Sequence, residues 1–229
     1  MFYRVIRRIF LILSPVIMPV KVYGRENINR EGKYIIACNH QSYMDIPSLI
    51  IACRRQIFFM AKATLFRHRI LGYLFKKMGA FPVNTGTSDI DSLKHAIKVL
   101  REEKVLGIFP QGTRVQDSPL IRREDILSGV ALIALKTGAD IVPCVFERRP
   151  LLFRINRLHV GKPIELKEYA GRRVNSGLLD ELCDRLYSAM DEIMPQKIKE
   201  KYKDCGAKVM PPDGGDAVGK NSPEMERDA

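Results

Sequence analysis

Short apolar runs and helical repeats alternate along most of the chain. Five runs have the length and low polarity of buried strands: 33–38, 80–83, 105–109, 141–146 and 158–164. Two segments place apolar residues at three- and four-residue intervals, as helices do: 88–103 and 179–193. The segment 129–137 is expected to be a short apolar helix. This alternation predicts an α/β fold, a single domain in which helices flank a mixed, mostly parallel central sheet.

Local signals refine two of these helices. Thr87 or Ser88 is a suitable N-cap for the helix at 88–103. In the last helix the apolar stripe consists of Leu179, Leu182, Leu186, Met190 and Ile193. We expect this stripe to pack on the core, so that the helix closes the domain.

The first 22 residues have a different pattern. Apolar residues are interspersed with Arg4, Arg7 and Arg8, and Pro15 and Pro19 interrupt the apolar run. The unbroken apolar part is too short for a span of about 20 residues, and the residues after it lack a signal-peptide cleavage site. We therefore predict an amphipathic, helical membrane-associating segment, with its arginines at anionic headgroups. The alternative is a helix that merely packs on the domain.

The remaining boundaries follow from composition. We expect the N-terminal segment to end at residue 22, a domain at 23–205, and a flexible tail at 206–229, where periodicity is lost. A second apolar and basic stretch, from Phe66 to Lys77, could extend the membrane-facing surface.

The charge and the cysteine content indicate which kind of partner the protein binds and in which compartment it works. The formal net charge is +12 and the pI is about 9.6, which favours an anionic partner such as a membrane or a nucleic acid. No recognisable nucleic-acid-binding module is present and the chain has no Trp, so we expect no nucleic acid. Five cysteines without Cys-x-x-Cys spacing indicate a reducing compartment. The sequence thus predicts a protein on the cytoplasmic face of the cell membrane.

The most informative stretch, Cys38 to Asp45, follows the first of these strands. His40 and Asp45 are five residues apart, and on a straight helix of about 3.6 residues per turn they would not share a face. If a strand ends at Cys38 and a helix opens at Asp45, the intervening loop can bring the carboxylate to one imidazole nitrogen and leave the other available. His40 and Asp45 are therefore candidate catalytic residues. Alternatively, His40 is a loop histidine and Asp45 is a helix N-cap.

Two other strands lead into polar or glycine-containing tips. The run 105–109 precedes Pro110-Gln111-Gly112-Thr113-Arg114, and the run 80–83 precedes Asn84-Thr85. In open α/β sheets, ligands bind outside the carboxyl ends of the strands. Gly112 allows close approach of the backbone, and the guanidinium of Arg114 can hold a phosphate or carboxylate. These tips predict an anionic substrate.

Together these blocks resemble the glycerolipid acyltransferase superfamily, and within it the 1-acylglycerol-3-phosphate acyltransferases. The family signature is Asn-His-x4-Asp followed by Phe-Pro-Glu-Gly-Thr-Arg. The corresponding blocks here are Asn39 to Asp45, Gly79 to Asn84, Phe109 to Arg114 and Ile141 to Cys144. With the resemblance at Ala61-Lys62, the candidate substrate-binding residues are Lys62, Asn84, Thr85, Gln111, Gly112, Thr113 and Arg114.

The resemblance implies direct acyl transfer from a thioester to a lipid hydroxyl. His40 would be the general base, Asp45 would orient its imidazole, and a backbone N–H near Gly112 would stabilise the oxyanion. No protein nucleophile, metal or cofactor is implied. The donor would be acyl-CoA or an acyl carrier protein, the acceptor would be lysophosphatidic acid, and membrane lipids would be partners.

Two departures from the family pattern leave alternatives open. Gln111 replaces the usual glutamate, and Asn84-Thr85 stands where the second block usually carries an arginine. An amide keeps the shape and hydrogen bonding of a carboxylate but not its charge. The missing arginine leaves glycerol 3-phosphate or another lysolipid as the acceptor, and Gln111 leaves open a non-catalytic membrane lipid-binding protein.

Overall fold

One sheet of seven strands lies within residues 2–84 and 89–203, the ranges that the computed structural model describes. The strands are β1 (Val20–Tyr23), β2 (Tyr34–Cys38), β3 (Ile57–Lys62), β4 (Phe81–Val83), β5 (Val105–Ile108), β6 (Asp140–Phe146) and β7 (Asn156–Val160). The α-helices are α1 (Phe2–Ile17), α2 (Arg25–Ile28), α3 (Asp45–Ala52), α4 (Arg69–Met78), α5 (Ile90–Arg101), α6 (Gly129–Thr137), α7 (Ser176–Ile193) and α8 (Gln196–Tyr202). Short 3₁₀ helices lie at Ala63–Phe66, Arg123–Asp125 and Leu166–Tyr169.

The strand order β1-β7-β6-β2-β5-β3-β4 positions the candidate residues. Every neighbouring pair is parallel except β6 and β7. The predicted α/β domain with a mixed, mostly parallel sheet is therefore confirmed. Because β6, β2, β5, β3 and β4 run in one direction, their carboxyl ends share one edge of the sheet, which we call the carboxyl edge.

Strand β2 is buried at all five positions, since it lies inside the sheet with helices on both faces. Its side chains alternate between the two faces. Ile35 and Ala37 join the core beneath α5, α6 and α7, whereas Tyr34, Ile36 and Cys38 join the core beneath α1 and α3. This two-sided packing fixes the end of β2, from which the loop carrying His40 emerges.

The strand expected at 158–164 is placed differently. It spans Asn156–Val160, and Ile164 makes only an isolated bridge with Ile141. The ladder is interrupted by the intervening Pro163, which has no N–H to donate.

The helix expected at 88–103 is shorter at both ends and spans Ile90–Arg101. Its N-cap is Asp89, whose carboxylate accepts a 3.0 Å hydrogen bond from the Ser92 N–H. Thr87 and Ser88, the residues predicted to cap it, lie outside the described ranges.

The last predicted helix is present as α7, with Leu182, Leu186 and Met190 buried as expected. Leu178 is also buried, whereas the predicted stripe residue Leu179 is only partly buried. The buried face is thus rotated slightly from the predicted stripe, because Leu178 and not Leu179 lies over the sheet.

The N-terminal segment divides between a helix and the sheet. Helix α1 is fastened to the domain by Arg7, whose Nε donates to the carbonyl oxygens of Ile50 and Cys53 at 3.2 and 3.0 Å. Residues 20–22, which the sequence assigns to the membrane-associating segment, instead form most of β1, because Val20 and Val22 pack on the core that includes α3. The predicted boundary at residue 22 therefore falls within a strand.

The tail predicted at 206–229 lies outside the described ranges. No helix in residues 2–84 or 89–203 has the length and apolar character needed to cross a bilayer.

Candidate active site

The loop between β2 and α3 is anchored by Asn39, which is 1% exposed. Its side-chain oxygen accepts a 2.8 Å hydrogen bond from the Phe146 N–H, and its Nδ2 donates to the carbonyl oxygens of Phe146 and Pro119 at 3.1 and 2.9 Å. Asn39 thereby ties the end of β2 to the end of β6. It positions the next residue, His40, a role that the sequence pattern does not reveal.

His40 and Asp45 are in contact, as their spacing across a bend predicts. The Nδ1 atom of His40 lies 2.7 Å from Oδ2 of Asp45, which also accepts backbone hydrogen bonds from Gln41 at 2.7 Å and Ser42 at 2.9 Å. Asp45 is the first residue of α3, and Met44 is the N-cap, so the carboxylate faces back into the loop instead of capping the helix. Its side chain is fully buried, whereas 17% of the His40 side chain is exposed.

The imidazole of His40 is fixed in orientation on two sides. Its ring stacks on Phe109 with centroids 3.9 Å apart and planes at 16°. In the neutral tautomer that carries its proton on Nδ1, this nitrogen donates to the Asp45 carboxylate and Nε2 presents a lone pair. No described residue makes a hydrogen bond to Nε2. The ring can therefore accept a proton from a group that approaches from outside.

The turn after β5 holds the backbone of His40. Oε1 of Gln111 accepts a 2.9 Å hydrogen bond from the His40 N–H, and the Val115 N–H donates to the His40 carbonyl oxygen at 2.8 Å. An amide oxygen serves as this acceptor as well as a carboxylate would. Gln111 thus retains a positioning contact despite the loss of charge.

Gly112 allows this turn to form. Its φ is +66°, in the left-handed region that favours glycine, and a Cβ there would lie 2.8 Å from Leu127 Cδ1. The Gly112 N–H donates to the carbonyl oxygen of Phe109 at 3.0 Å. This N–H is therefore already used within the turn.

Arg114 reaches the His40 loop from the same turn. Its guanidinium lies 3.8 Å from the centroid of the Tyr43 ring, and Tyr43 is exposed. Thr113, half-buried, precedes it. The structure therefore gathers His40, Asp45, Gln111, Gly112, Thr113 and Arg114 at the carboxyl edge, where β2 and β5 are neighbours.

Lys62 and Asn84 lie on the same edge but farther along it. Lys62 is the last residue of β3, two strands and therefore about 10 Å from β2. Asn84 follows β4, one strand farther still, and its backbone N–H donates to Asp89 at 2.7 Å. Thr85, also predicted to bind substrate, lies outside the described ranges.

A second histidine and carboxylate form a contact that no local spacing predicts. His159 Nε2 lies 2.7 Å from Oε1 of Glu147, and the His159 ring stacks on Tyr23 with centroids 4.6 Å apart. Arg157 Nη1 lies 3.9 Å from the other carboxylate oxygen. Only the antiparallel pairing of β6 and β7 brings these residues together.

The cysteine nearest the site is not a nucleophile. Cys38 is fully buried, and burial raises the pKa of its thiol well above the ordinary value. Burial likewise raises the pKa of the Cys53 and Cys144 thiols. A thiol must lose its proton to attack a carbonyl, so the burial of Cys38 argues against a nucleophilic role.

The profile of the acyltransferase family matches residues 19–147, more than half of the chain, and this range contains every candidate site residue. A 1-acyl-sn-glycerol-3-phosphate acyltransferase of Bacillus subtilis is 32% identical over 187 residues, which cover 79% of this chain and 87% of that protein. The chain belongs to the acyltransferase family.

Other known proteins resemble this acyltransferase. A 1-acyl-sn-glycerol-3-phosphate acyltransferase of Streptococcus pneumoniae is 26% identical over 184 residues, covering 77% of this chain and 66% of that protein. The crystal structure of the 1-acyl-sn-glycerophosphate (LPA) acyltransferase PlsC from Thermotoga maritima matches with a TM-score of 0.61 at 20% identity, covering 90% of this chain and 83% of that one. The structural match shows a shared fold.

Proposed function

We propose that this acyltransferase moves a fatty acyl group from an acyl thioester to the free hydroxyl of 1-acylglycerol 3-phosphate, giving phosphatidic acid for phospholipid synthesis. The observation that carries the proposal is the 2.7 Å contact between His40 Nδ1 and the buried Asp45 carboxylate at the carboxyl edge. Relatives that carry the name of this activity support the acceptor. The thioester is acyl-CoA or an acyl carrier protein.

His40 acts as the general base. Its Nε2 takes the proton of the acceptor hydroxyl while the hydroxyl oxygen bonds to the thioester carbonyl carbon, and Asp45 stabilises the imidazolium that forms. When the tetrahedral intermediate collapses, the C–S bond breaks and the departing thiolate takes the proton from Nε2. Atoms and charge balance without a covalent enzyme intermediate.

The negative charge on the tetrahedral intermediate needs N–H donors within about 3 Å. The Gly112 N–H is unsuitable because it donates to Phe109. The adjacent Thr113 N–H makes no hydrogen bond to a described residue, so we assign it this role.

The acceptor phosphate requires cationic side chains close to His40. In lysophosphatidic acid the phosphate is joined to the glycerol that carries the reacting hydroxyl, so it lies only a few bonds from Nε2. Arg114, held over Tyr43, is the nearer cation, and Lys62, at the end of β3 about 10 Å along the edge, is the second. Asn84 would border the far end of this phosphate site.

We also propose that α1 holds the enzyme on the cytoplasmic face of the cell membrane. The residues of α1 that face the domain include Tyr3 and Arg7, which make polar contacts. The exposed side carries an apolar stripe at helical spacing: Val5, Ile9, Ile12 and Val16. Soluble helices have the opposite arrangement, and exposed apolar residues beside arginines suit an anionic lipid interface.

A panel of acceptors tests the function. Purified full-length protein in phospholipid vesicles would receive labelled acyl-CoA or acyl carrier protein with lysophosphatidic acid, glycerol 3-phosphate or lysophosphatidylcholine. We expect kcat/KM to be at least about tenfold higher for lysophosphatidic acid, because only this acceptor combines a phosphate monoester with an acyl chain that stays in the bilayer. Glycerol 3-phosphate lacks the acyl chain, and the choline of lysophosphatidylcholine offsets the charge of its phosphate. A preference for glycerol 3-phosphate would mean that this compound, and not lysophosphatidic acid, is the acceptor. If neither donor supported transfer to any acceptor, the protein would have a non-catalytic lipid-binding role.

Substitution tests the role of α1 better than deletion, because deletion also removes the contacts of Arg7. Ile12→Ser with Val16→Ser removes the two most exposed apolar side chains of the helix, each 75% exposed. We expect this variant to lose sedimentation with vesicles while keeping turnover in detergent micelles. Ile90→Ser with Val174→Ser makes the same changes at exposed positions elsewhere, and an equal loss in both variants would refute the anchor.

A further inference from the structure

We propose that residues 148–155, which lie in the connection between β6 and β7 and which we call the β6–β7 loop, form a second membrane-docking element that inserts its apolar tip into an anionic phospholipid surface. The inference rests on the proposed function, because it requires α1 to lie on the same membrane.

The β6–β7 loop presents four large apolar side chains to solvent. Phe153 is 76% exposed, Ile155 54%, Leu152 48% and Leu151 40%. Apolar side chains that face solvent do not contribute to the core. They lower the solubility of the protein without stabilising the fold. Such contiguous patches mark interaction surfaces.

Hydrogen bonds at the base hold the loop in this shape. The Asn156 side chain accepts from the Leu151 N–H and donates to the Leu151 carbonyl oxygen, both at 3.0 Å. Phe153 has a φ of +57°, in the left-handed region that a bulky side chain rarely adopts. A strained residue of this kind persists only where its surroundings fix it, which is common at binding sites.

The charges around the tip favour a lipid surface as the occupant. Arg148, Arg149 and Arg154 are exposed beside the apolar residues. Glu147, the carboxylate next to the loop, is already in contact with His159. Apolar tips flanked by arginines match acyl chains beneath anionic headgroups, whereas a second copy of this chain would bring the same arginines and repel them.

The loop and α1 form one continuous surface. The Phe153 N–H donates to the carbonyl oxygen of Ile17, the last residue of α1, at 2.6 Å. The neighbouring residue on the helix, Val16, is 75% exposed. A membrane that covers the end of α1 must therefore also meet Phe153.

This surface is also close to the active site. The loop begins two residues after Phe146, whose backbone is hydrogen-bonded to Asn39, and Asn39 immediately precedes His40. Docking through the loop would thus bring the carboxyl edge to the lipid surface. A lysophosphatidic acid could then reach His40 without leaving the membrane completely.

Tryptophan fluorescence tests the insertion without depending on turnover. The chain has no Trp, so Phe153→Trp introduces a single reporter into the full-length protein. With vesicles of phosphatidylcholine and phosphatidylglycerol, we expect its emission to shift to the blue and to be quenched by lipids with brominated acyl chains. Val174→Trp, at an exposed position outside the proposed surface, should show neither change.

Two results would overturn the proposal. One is unchanged Phe153→Trp emission under conditions in which the protein sediments with the vesicles. The other is a blue shift that grows with protein concentration in the absence of lipid, which would assign the tip to a second copy of the chain.

Binding variants separate this inference from the proposed function. Leu152→Ser, Phe153→Asn and Ile155→Ser together remove the apolar tip, and Asn tolerates the left-handed backbone at position 153. We expect vesicle affinity to fall about tenfold and turnover on vesicles to fall with it, while turnover in detergent micelles stays unchanged. Wild-type affinity in this variant would refute the docking role. A wild-type protein that binds vesicles but acylates no acceptor would instead refute the proposed function alone.

The arginines have a charge-matched control. Arg148→Glu with Arg149→Glu should weaken binding to vesicles that contain phosphatidylglycerol. Lys94→Glu with Lys98→Glu, on the exposed face of α5, changes the net charge equally and should weaken binding much less. Equal weakening by both pairs would attribute binding to net charge and contradict a specific role for the loop.

Discussion

The two histidine–carboxylate pairs, His40 with Asp45 and His159 with Glu147, have almost the same internal geometry. In each, a ring nitrogen lies 2.7 Å from a carboxylate oxygen, and the carboxylate side chain is buried, at 0% and 6% exposure. Each imidazole is partly exposed, at 17% and 18%, and each ring stacks on an aromatic neighbour.

The surroundings of the two pairs differ. Asp45 accepts backbone hydrogen bonds from the loop that carries His40, so its charge is directed at that imidazole. Glu147 also lies near Arg157, and His159 is within β7 instead of beyond the end of a strand. Of the two histidines, only His40 lies next to the turn that contains Gly112 and Arg114. A histidine in contact with a carboxylate therefore indicates catalysis only where its second nitrogen faces a place for substrate.

Removal of each histidine tests this difference most strongly. His40→Ala should lower turnover about a thousandfold, as expected for loss of a general base. His159→Ala should leave turnover within about twofold of wild type, because the pair lies outside the reacting site. Phosphatidic acid formation by both variants, at equal vesicle binding, is the measurement. Comparable losses would mean that the two pairs have similar roles.

Substitution of the two carboxylates should show the same contrast, with a smaller loss of turnover than substitution of the histidines. Asp45→Asn keeps an oxygen for the backbone N–H groups of Gln41 and Ser42 but loses the charge that stabilises the imidazolium. We expect about a hundredfold lower kcat, within the range for acid–base groups. Glu147→Gln is the matched control and should lower kcat very little. Circular dichroism would establish that both variants are folded.

Gln111 allows a test of how the backbone of His40 is held. Gln111→Ala leaves the His40 N–H without its acceptor, which costs about 1–3 kcal/mol when the donor is buried. We expect about tenfold lower kcat, with KM changed less. Gln111→Glu retains the acceptor and should lose less than Gln111→Ala. The opposite order would show that the contact does not position His40.

The smallest effect is expected at Cys38. Burial raises the pKa of this thiol, so it stays protonated at about pH 8, where an ordinary thiol with a pKa near 8.5 is partly ionised. A thiol reagent should leave Cys38 unmodified in the folded protein, as measured by peptide mass spectrometry, and Cys38→Ala should keep turnover within about twofold. Rapid modification with loss of turnover would contradict this account.

The sequence could predict the His40–Asp45 contact because the two residues are close along the chain and both follow the end of one strand. It could not predict that Gln111 holds the His40 N–H, since this depends on β2 and β5 being neighbours in the sheet. The His159–Glu147 contact depends in the same way on the antiparallel pairing of two strands separated by a loop.

For the N-terminal segment, the sequence predicts the helix but not how the helix packs. Its amphipathic pattern predicts a helix, and α1 is present. The pattern does not reveal which side contacts the domain, because that choice is made by polar contacts of Tyr3 and Arg7 with distant backbone groups. The same applies to β1, whose short alternation of Val20 and Val22 forms a strand only because β7 offers an edge.

The most direct test of the central claim follows both the lipid product and the mass of the protein. Purified full-length protein on vesicles would be mixed with acyl-CoA or acyl carrier protein, first alone and then with lysophosphatidic acid. Direct transfer assisted by His40 predicts that the protein mass stays unchanged with the donor alone and that phosphatidic acid forms once the acceptor is added. Accumulation of an acylated protein before the acceptor is present, or no phosphatidic acid with either donor, would contradict it.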